Sequence, residues 1–110
     1  MARPGQLDRI VTFFSPIGIT SDADGRSEEG WREEFAVWGK FTPLRGGETV
    51  MHARMEAKSP ASLTVWLSSQ SERIMADWRV VIAGRSYDLK EYPRPSVDGA
   101  FLDMLVEARP

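Results

Sequence analysis

The chain has 110 residues, of which 42% are hydrophobic and 27% charged; its formal net charge is −2 and it contains no cysteine. A chain of this length holds one ordinary domain, so we expect residues 1–110 to form a single unit. Without cysteine there is no disulfide framework, thiolate nucleophile or cysteine-ligated zinc. The slightly acidic charge is unlike the basic surface of duplex-binding domains.

Targeting signals are missing from the sequence as well. No apolar run approaches the roughly 20 residues that a membrane helix requires. The first residues lack the apolar centre of a secretory signal. We therefore expect no membrane association and a cytoplasmic location, unless the protein leaves the cell as part of a particle.

The first half of the chain predicts two strands separated by a polar stretch. Residues 9–15 are rich in β-branched and aromatic residues, as strands are. Residues 16–30 contain three glycines among polar residues, which predicts a long polar loop or an extended hairpin tip. Residues 31–42 form the second predicted strand, with aromatic bulk on both faces, and Pro43 ends its ladder.

A long loop is predicted next, over residues 43–61. Residues 47–58 have a helix-favouring composition, and Ser59-Pro60 stops the helix. Residues 62–68 then alternate strictly, with Leu63, Val65 and Leu67 on one face, which predicts a third strand.

The C-terminal part predicts a hairpin and a last strand. With Gly84-Arg85 as a type II′ turn, the hairpin over residues 79–89 places Ile82 opposite Tyr87 and Val80 opposite Leu89. Residues 100–107 alternate again. About six short strands with polar turns predict a mainly β fold, a small antiparallel barrel or sandwich with long loops at about 16–30 and 43–61 and one short helix.

The sequence gives little support to a catalytic site or a metal site. On the predicted helix, Glu48, His52 and Glu56 lie four residues apart and could bind a metal, but a solvated helix face is the simpler interpretation. No serine has a GxSxG context, and Arg45-Gly46-Gly47 lacks the lysine of a phosphate loop. The sequence predicts no catalytic residue, cofactor or metal.

Four tryptophans are a high number for this length. Trp38 and Trp66 are out of phase with the aliphatic face of their strands, so they could stack single-stranded bases or anchor a protein interface. The acidic net charge favours the interface. Trp31 begins a charged segment that is a further interface candidate, although Trp31 and Trp78 also fit core or core-edge positions.

An ordered set of short motifs carries a family resemblance over residues 5–107. The motifs are Gly5-Gln6-Leu7-Asp8-Arg9, Val11-Thr12-Phe13, a loop with Asp22 and Gly25, Trp31, Val37-Trp38, Pro43-Leu44-Arg45-Gly46-Gly47-Glu48, and Asp77-Trp78-Arg79-Val80 with Gly84 and Tyr87. In this order the chain resembles the head–tail joining (head-closure) proteins of tailed bacteriophages.

This resemblance implies a small β-barrel with long loops that serves as a non-enzymatic subunit of a ring, usually of twelve copies. The ring lies between the portal–adaptor assembly and the tail, completes the DNA-filled head and docks the tail. The implied partners are further copies, portal or adaptor proteins and tail proteins, while DNA passes through the channel without sequence-specific binding. The implied location is the virion, after assembly in the host cytoplasm.

The same resemblance predicts a role for the loop between the second and third strands. In related proteins this loop projects into the channel, and here it corresponds to residues 43–61. Its polar side chains, which would face the channel or a neighbour, are Arg45, Glu48, His52, Arg54 and Glu56. The alternatives are a tail-completion or tail-terminator subunit and an OB-like module for single-stranded nucleic acid.

Overall fold

A computed structural model describes residues 7–21, 27–44 and 59–109. In this part of the chain the strands are β1 (Arg9–Ser21), β2 (Ser27–Pro43), β3 (Ala61–Trp66), β4 (Arg79–Ile82), β5 (Arg85–Leu89), β6 (Arg94–Pro95) and β7 (Phe101–Ala108). The strand predictions over residues 9–15, 31–42, 62–68 and 100–107 each match one of these strands, with shifted ends.

The strands close into a barrel. Neighbours follow the order β3-β2-β1-β4-β5-β7, every pairing is antiparallel, and β3 also pairs with β7. Six strands thus form a closed antiparallel barrel, as the sequence and the resemblance predict. The two-residue β6 continues along the edge of β7 beside β5. Closure leaves no free edge around the barrel wall itself.

Alternation along the strands fills the barrel interior. Val11 and Phe13 of β1, Leu63 and Val65 of β3 and Val80 of β4 are fully buried. At one end the core becomes aromatic, where Phe13, Phe35 and Trp78 form a cluster with ring centroids 5.1 to 6.5 Å apart. Trp78 is therefore a core residue.

For the polar stretch over residues 16–30, two alternatives were predicted, a long loop and an extended hairpin. The described part of this stretch belongs to an extended hairpin. β1 continues to Ser21 and β2 begins at Ser27, and the two strands pair from Arg9↔Gly39 to Ser21↔Ser27. Two register shifts, between Phe13 and Phe14 and between Ile17 and Thr20, mark bulges in this ladder. Such bulges bend and twist a two-stranded ribbon.

The predicted hairpin of β4 and β5 is confirmed, but the prediction placed the turn one residue too far along the chain. Ala83 and Gly84 are the central residues, with φ of 52° and 79°, which makes a type I′ turn. The pairs are Val80↔Tyr87 and Ile82↔Arg85, not Ile82–Tyr87 and Val80–Leu89. A turn shift of one residue moves the register by two, so the apolar residues still share one face.

The observed register is favoured by contacts within the hairpin and with β7. It places Asp88 opposite Arg79, with which it forms an ion pair, and the Leu89 amide donates to the Trp78 carbonyl at 3.2 Å. β5 also pairs with β7 in this register, through Tyr87↔Ala108. These contacts offset the cost of Ala83 in the left-handed region.

Only one helical turn occurs among the described residues, a 3₁₀ turn over Ser71–Arg73. The helix predicted over residues 47–58 lies outside the described residues. β3 ends at Trp66, two residues before the predicted end, because the Ser71 hydroxyl donates to the Trp66 carbonyl and turns the chain. The structure contains, in its described ranges, no helix suited to crossing a bilayer.

Candidate interaction surface

A hairpin extends beyond the barrel wall. β1 pairs with β4 only over Val11–Phe14, and β2 pairs with β3 only over Gly39–Pro43. Among the described residues, the rest of the hairpin, residues 15–21 and 27–34, pairs only within itself, and we call it the arm. At roughly 3.3 Å per residue, residues 15–21 extend the hairpin by about 20 Å.

The root of the arm is fixed to the barrel by a carboxylate. Glu34 lies at the first bulge, where it accepts a hydrogen bond of 2.6 Å from the Ser15 hydroxyl and a second from the Arg73 guanidinium. The hydrogen bond from Ser15, together with Arg73, holds the pKa of Glu34 below its ordinary value of 4.5. Glu34 therefore joins β1, β2 and the 3₁₀ turn.

A cation–π contact supports the same root. The Arg79 guanidinium lies 3.9 Å from the centroid of the Trp31 ring. Of the three tryptophans predicted at an interface, Trp31 is thus half-buried against β4, and its ring has an intramolecular partner.

An apolar row crosses the outside of the barrel. Ile10 pairs with Trp38. The last pair between β2 and β3 is Gly39↔Val65, and Trp38 and Trp66 are the residues next to this pair in the two strands. The Trp66 ring stacks on Phe101 with centroids 4.4 Å apart. Ile10, Trp38 and Trp66 remain 50%, 54% and 42% exposed. The strand register therefore brings the two predicted interface tryptophans together and adds Ile10 to them.

A groove of about 570 Å³ opens beside the two indoles. It lies where β3 leaves β2, and no charged side chain of the described residues lines it. Its lining residues are Leu7, Ala36, Val37, Trp38, Trp66, Ser68 and Gln70. An uncharged groove with two exposed indoles has the composition of a protein interface core, where aromatic residues are enriched and charges depleted.

The opposite side of the barrel has a different character. On the outer face of β4, β5 and β7, Asp88 lies between Arg79 and Arg109, and Lys90 pairs with Glu107. Burial raises the pKa of Asp88, and the Lys90 ammonium opposes this shift. The molecule thus presents one apolar side and one side covered by ion pairs.

The predicted loop residues Arg45, Glu48, His52, Arg54 and Glu56 lie outside the described residues. The ends of that loop are described. Pro43 pairs with Ala61, and the Leu44 amide donates to the Pro60 carbonyl at 3.0 Å. These contacts fix the base of the loop at the end of β2 farthest from the arm.

The metal hypothesis concerns Glu48, His52 and Glu56, which lie outside the described residues, so it stays a prediction. The described residues contain no group of three or more histidine, cysteine or acidic side chains placed to hold an ion. The contacts that sequence reasoning missed are those of Ile10 with Trp38 and of Glu34 with Ser15 and Arg73. Both depend on pairing between distant strands, which a single strand's alternation does not reveal.

Known proteins share this fold. A family model described as "Phage head completion protein" matches residues 2–109. The solution structure of protein SF1141 from Shigella flexneri 2a is 18% identical, with a TM-score of 0.70, covering 97% of this chain and 96% of that one. A chain of the virion of a native gene transfer agent is 15% identical, with a TM-score of 0.60 and coverages of 91% and 92%. The search of curated proteins finds no match.

Proposed function

Because the chain belongs to the phage head completion protein family, we propose that it is a subunit of the connector ring that closes the DNA-filled head and docks the tail. Membership gives it a structural role in the phage head. That the protein forms the connector ring goes beyond this role and is our proposal. We further propose that it is located in the virion after assembly in the host cytoplasm, and that it has no enzymatic activity and no cofactor.

The observation that carries this proposal is the apolar row of Ile10, Trp38 and Trp66 beside an uncharged groove. Subunits of a ring meet through two different surfaces, unlike the self-complementary surface of a two-fold dimer. The apolar side and the ion-paired side of this barrel are two such different surfaces. We assign the Trp38–Trp66 groove to contact with a neighbouring copy or with a portal, adaptor or tail protein. Trp31, beside Arg79 at the root of the arm, lies next to the ion-paired side and is assigned to the second contact.

The segment between β2 and β3 is assigned to the channel. Its base is closed by the Leu44–Pro60 hydrogen bond, so the segment leaves and re-enters the barrel at one point. In this role Arg45, Glu48, His52, Arg54 and Glu56 face the channel or a neighbour, and DNA passes without sequence-specific contacts. An acidic or neutral channel lining would let DNA slide, because it offers phosphates few cations, and the net charge of −2 is compatible with such a lining.

Deletion of the gene tests the proposal. Without the protein, electron microscopy of the particles should show heads without tails that have kept or leaked their DNA. Heads with tails of abnormal length would instead indicate a tail-terminator subunit. Normal infectious particles from the deletion strain would overturn any role in head completion.

A further inference from the structure

We propose that the arms of neighbouring copies pair edge to edge, with β1 of one arm forming an antiparallel ladder with β2 of the next. The proposal deepens the ring function above and rests on it. It names the backbone surface, residues 15–21 on one side and residues 27–33 on the other, and a second copy of this chain as the partner.

The first argument is the hydrogen bonding of the arm. Among the described residues, no backbone hydrogen bond joins residues 15–21 or 27–33 to any strand except the other strand of the same hairpin. Each strand of the arm therefore has one unpaired edge, and the two edges lie on opposite sides. Unpaired edges of this kind are templates for strand addition.

The second argument is stability. A two-stranded hairpin alone in water is only marginally stable, and three or more strands are needed for independent stability. Contacts with the barrel hold the root of the arm, through Glu34 and through Trp31 on Arg79. The outer part has no such support among the described residues. A neighbouring strand on each edge would supply it.

The third argument is charge, and it disfavours the pairing of β2 with β2. The sequence of residues 15–21 contains no charged residue, whereas residues 27–33 contain three glutamates and one arginine. Pairing β2 with β2 would place strands of the same net negative charge side by side, which destabilises a sheet. Pairing β1 with β2 avoids this conflict.

The fourth argument is geometry. If all arms point the same way, as in a ring, β2 of one arm lies beside β1 of the next, and these strands run antiparallel because β1 and β2 do so within each hairpin. The contact is heterologous, so it propagates around a ring and does not stop at two copies. Pro16 has no backbone donor, so the ladder between neighbouring arms would lack one hydrogen bond at this position.

The absence of native cysteine allows a clean crosslinking test in assembled particles. One copy carries Ile17→Cys in β1 and another, size-tagged copy carries Arg32→Cys in β2; both side chains are at least partly exposed. Particles containing both variants are treated with a short bismaleimide. We expect a covalent dimer of one tagged and one untagged chain.

Three controls decide the result. Particles with either variant alone should give much less dimer than the mixture, because two copies of one position lie two strands, about 10 Å, apart, whereas the mixed positions lie on adjacent strands, about 5 Å apart. Val97→Cys, fully exposed at the turn between β6 and β7, replaces Arg32→Cys as the matched control and should give no dimer with Ile17→Cys. If either variant fails to enter particles, Pro16→Cys with Glu33→Cys repeats the test.

Two outcomes overturn the proposal: no mixed dimer in doubly substituted particles, or as much dimer from one variant alone as from the mixture. Detection of the protein in tailed particles by mass spectrometry separates this failure from failure of the ring function. If the protein is present without the mixed dimer, only the arm pairing is wrong. If the protein is absent from particles, the ring function itself is wrong.

Discussion

At the scale of single residues, Gly39 occupies the tightest point of the barrel wall. A Cβ atom at this position would lie 3.0 Å from Cγ2 of Val11, 3.1 Å from the Thr64 carbonyl oxygen and 3.3 Å from Cγ1 of Val65. The Thr64 carbonyl belongs to the backbone of the β2–β3 ladder and therefore has little freedom to move. The glycine therefore permits the close approach of three strands.

Gly39→Ala should destabilise the isolated protein by about 1–3 kcal/mol, the usual cost of overpacking a core. Urea unfolding followed by tryptophan fluorescence measures this change. Ala36→Ser, at an exposed position of the same strand, should stay within about 0.5 kcal/mol of the wild type. An unchanged midpoint for Gly39→Ala would show that the ladder relaxes around the methyl group.

Glu34 gives the protein a dependence on acid pH. Its pKa in the folded state is lowered by the Ser15 hydrogen bond and by Arg73, so the folded state favours the charged form. This contribution is present above the ordinary pKa of 4.5 and is lost as the pH falls through the lowered value.

Glu34→Gln should therefore be less stable than the wild type at neutral pH, and the difference should shrink as the pH falls below about 4.5. The measurement is the free energy of unfolding as a function of pH. Ser15→Ala removes the hydrogen bond that contributes most to the lowered pKa of Glu34. This variant should therefore also weaken the dependence of the unfolding free energy on pH. Parallel curves for the wild type and Glu34→Gln would contradict this role.

At the scale of elements, the β4–β5 turn shows what local pattern misses. The sequence favoured glycine first in a type II′ turn, whereas the structure uses Ala83 and Gly84 in type I′. The choice depends on the Arg79–Asp88 pair and on the register of β5 against β7. β7 is distant in sequence from this hairpin, so periodicity predicts the strands and their inward faces but not the register.

Ala83→Asn should stabilise the hairpin by roughly 0.5–1 kcal/mol, because Asn-Gly is the preferred type I′ pair and tolerates positive φ. Thermal unfolding measures the gain. Gly84→Ala, at φ of 79°, is the matched change and should destabilise. A loss of stability for Ala83→Asn would mean that the turn adopts another type in solution.

The segment between β2 and β3 is predicted to be dispensable for folding. Deleting residues 47–58 should leave the barrel folded, because the described core is complete without them and the Leu44–Pro60 hydrogen bond closes the base. Circular dichroism and unfolding of the isolated domain test the fold, and particle assays should show failed DNA retention or tail docking. Unfolding of the deletion variant would make the segment part of the core.

At the scale of the whole molecule, the apolar row predicts a separation of folding from assembly. Trp38 is 54% exposed, so Trp38→Ala should change the stability of the isolated chain little. If the groove is an interface, removing a central aromatic side chain should cost about 2 kcal/mol or more of binding free energy. Tailed particles should then become rare. Tyr92→Ala, 61% exposed elsewhere, is the control and should assemble normally.

How much of this surface the sequence predicted depends on how many strands contribute to it. Trp38 and Trp66 were predicted individually, because each breaks the alternation of its own strand. Their meeting with Ile10 and Phe101 requires the register of four strands. The arm was predicted only as one of two alternatives, since polar, glycine-containing residues fit both a loop and a ribbon.

The length of β2 has a mechanical consequence. This single strand of 17 residues runs from the arm, past the Trp38 groove, to the base of the segment that follows Leu44. A load applied to the arm is carried along covalent bonds to that base, without passing through a side-chain contact that could slip. Tension at one end of the barrel is thus transmitted to the other end through β2 alone.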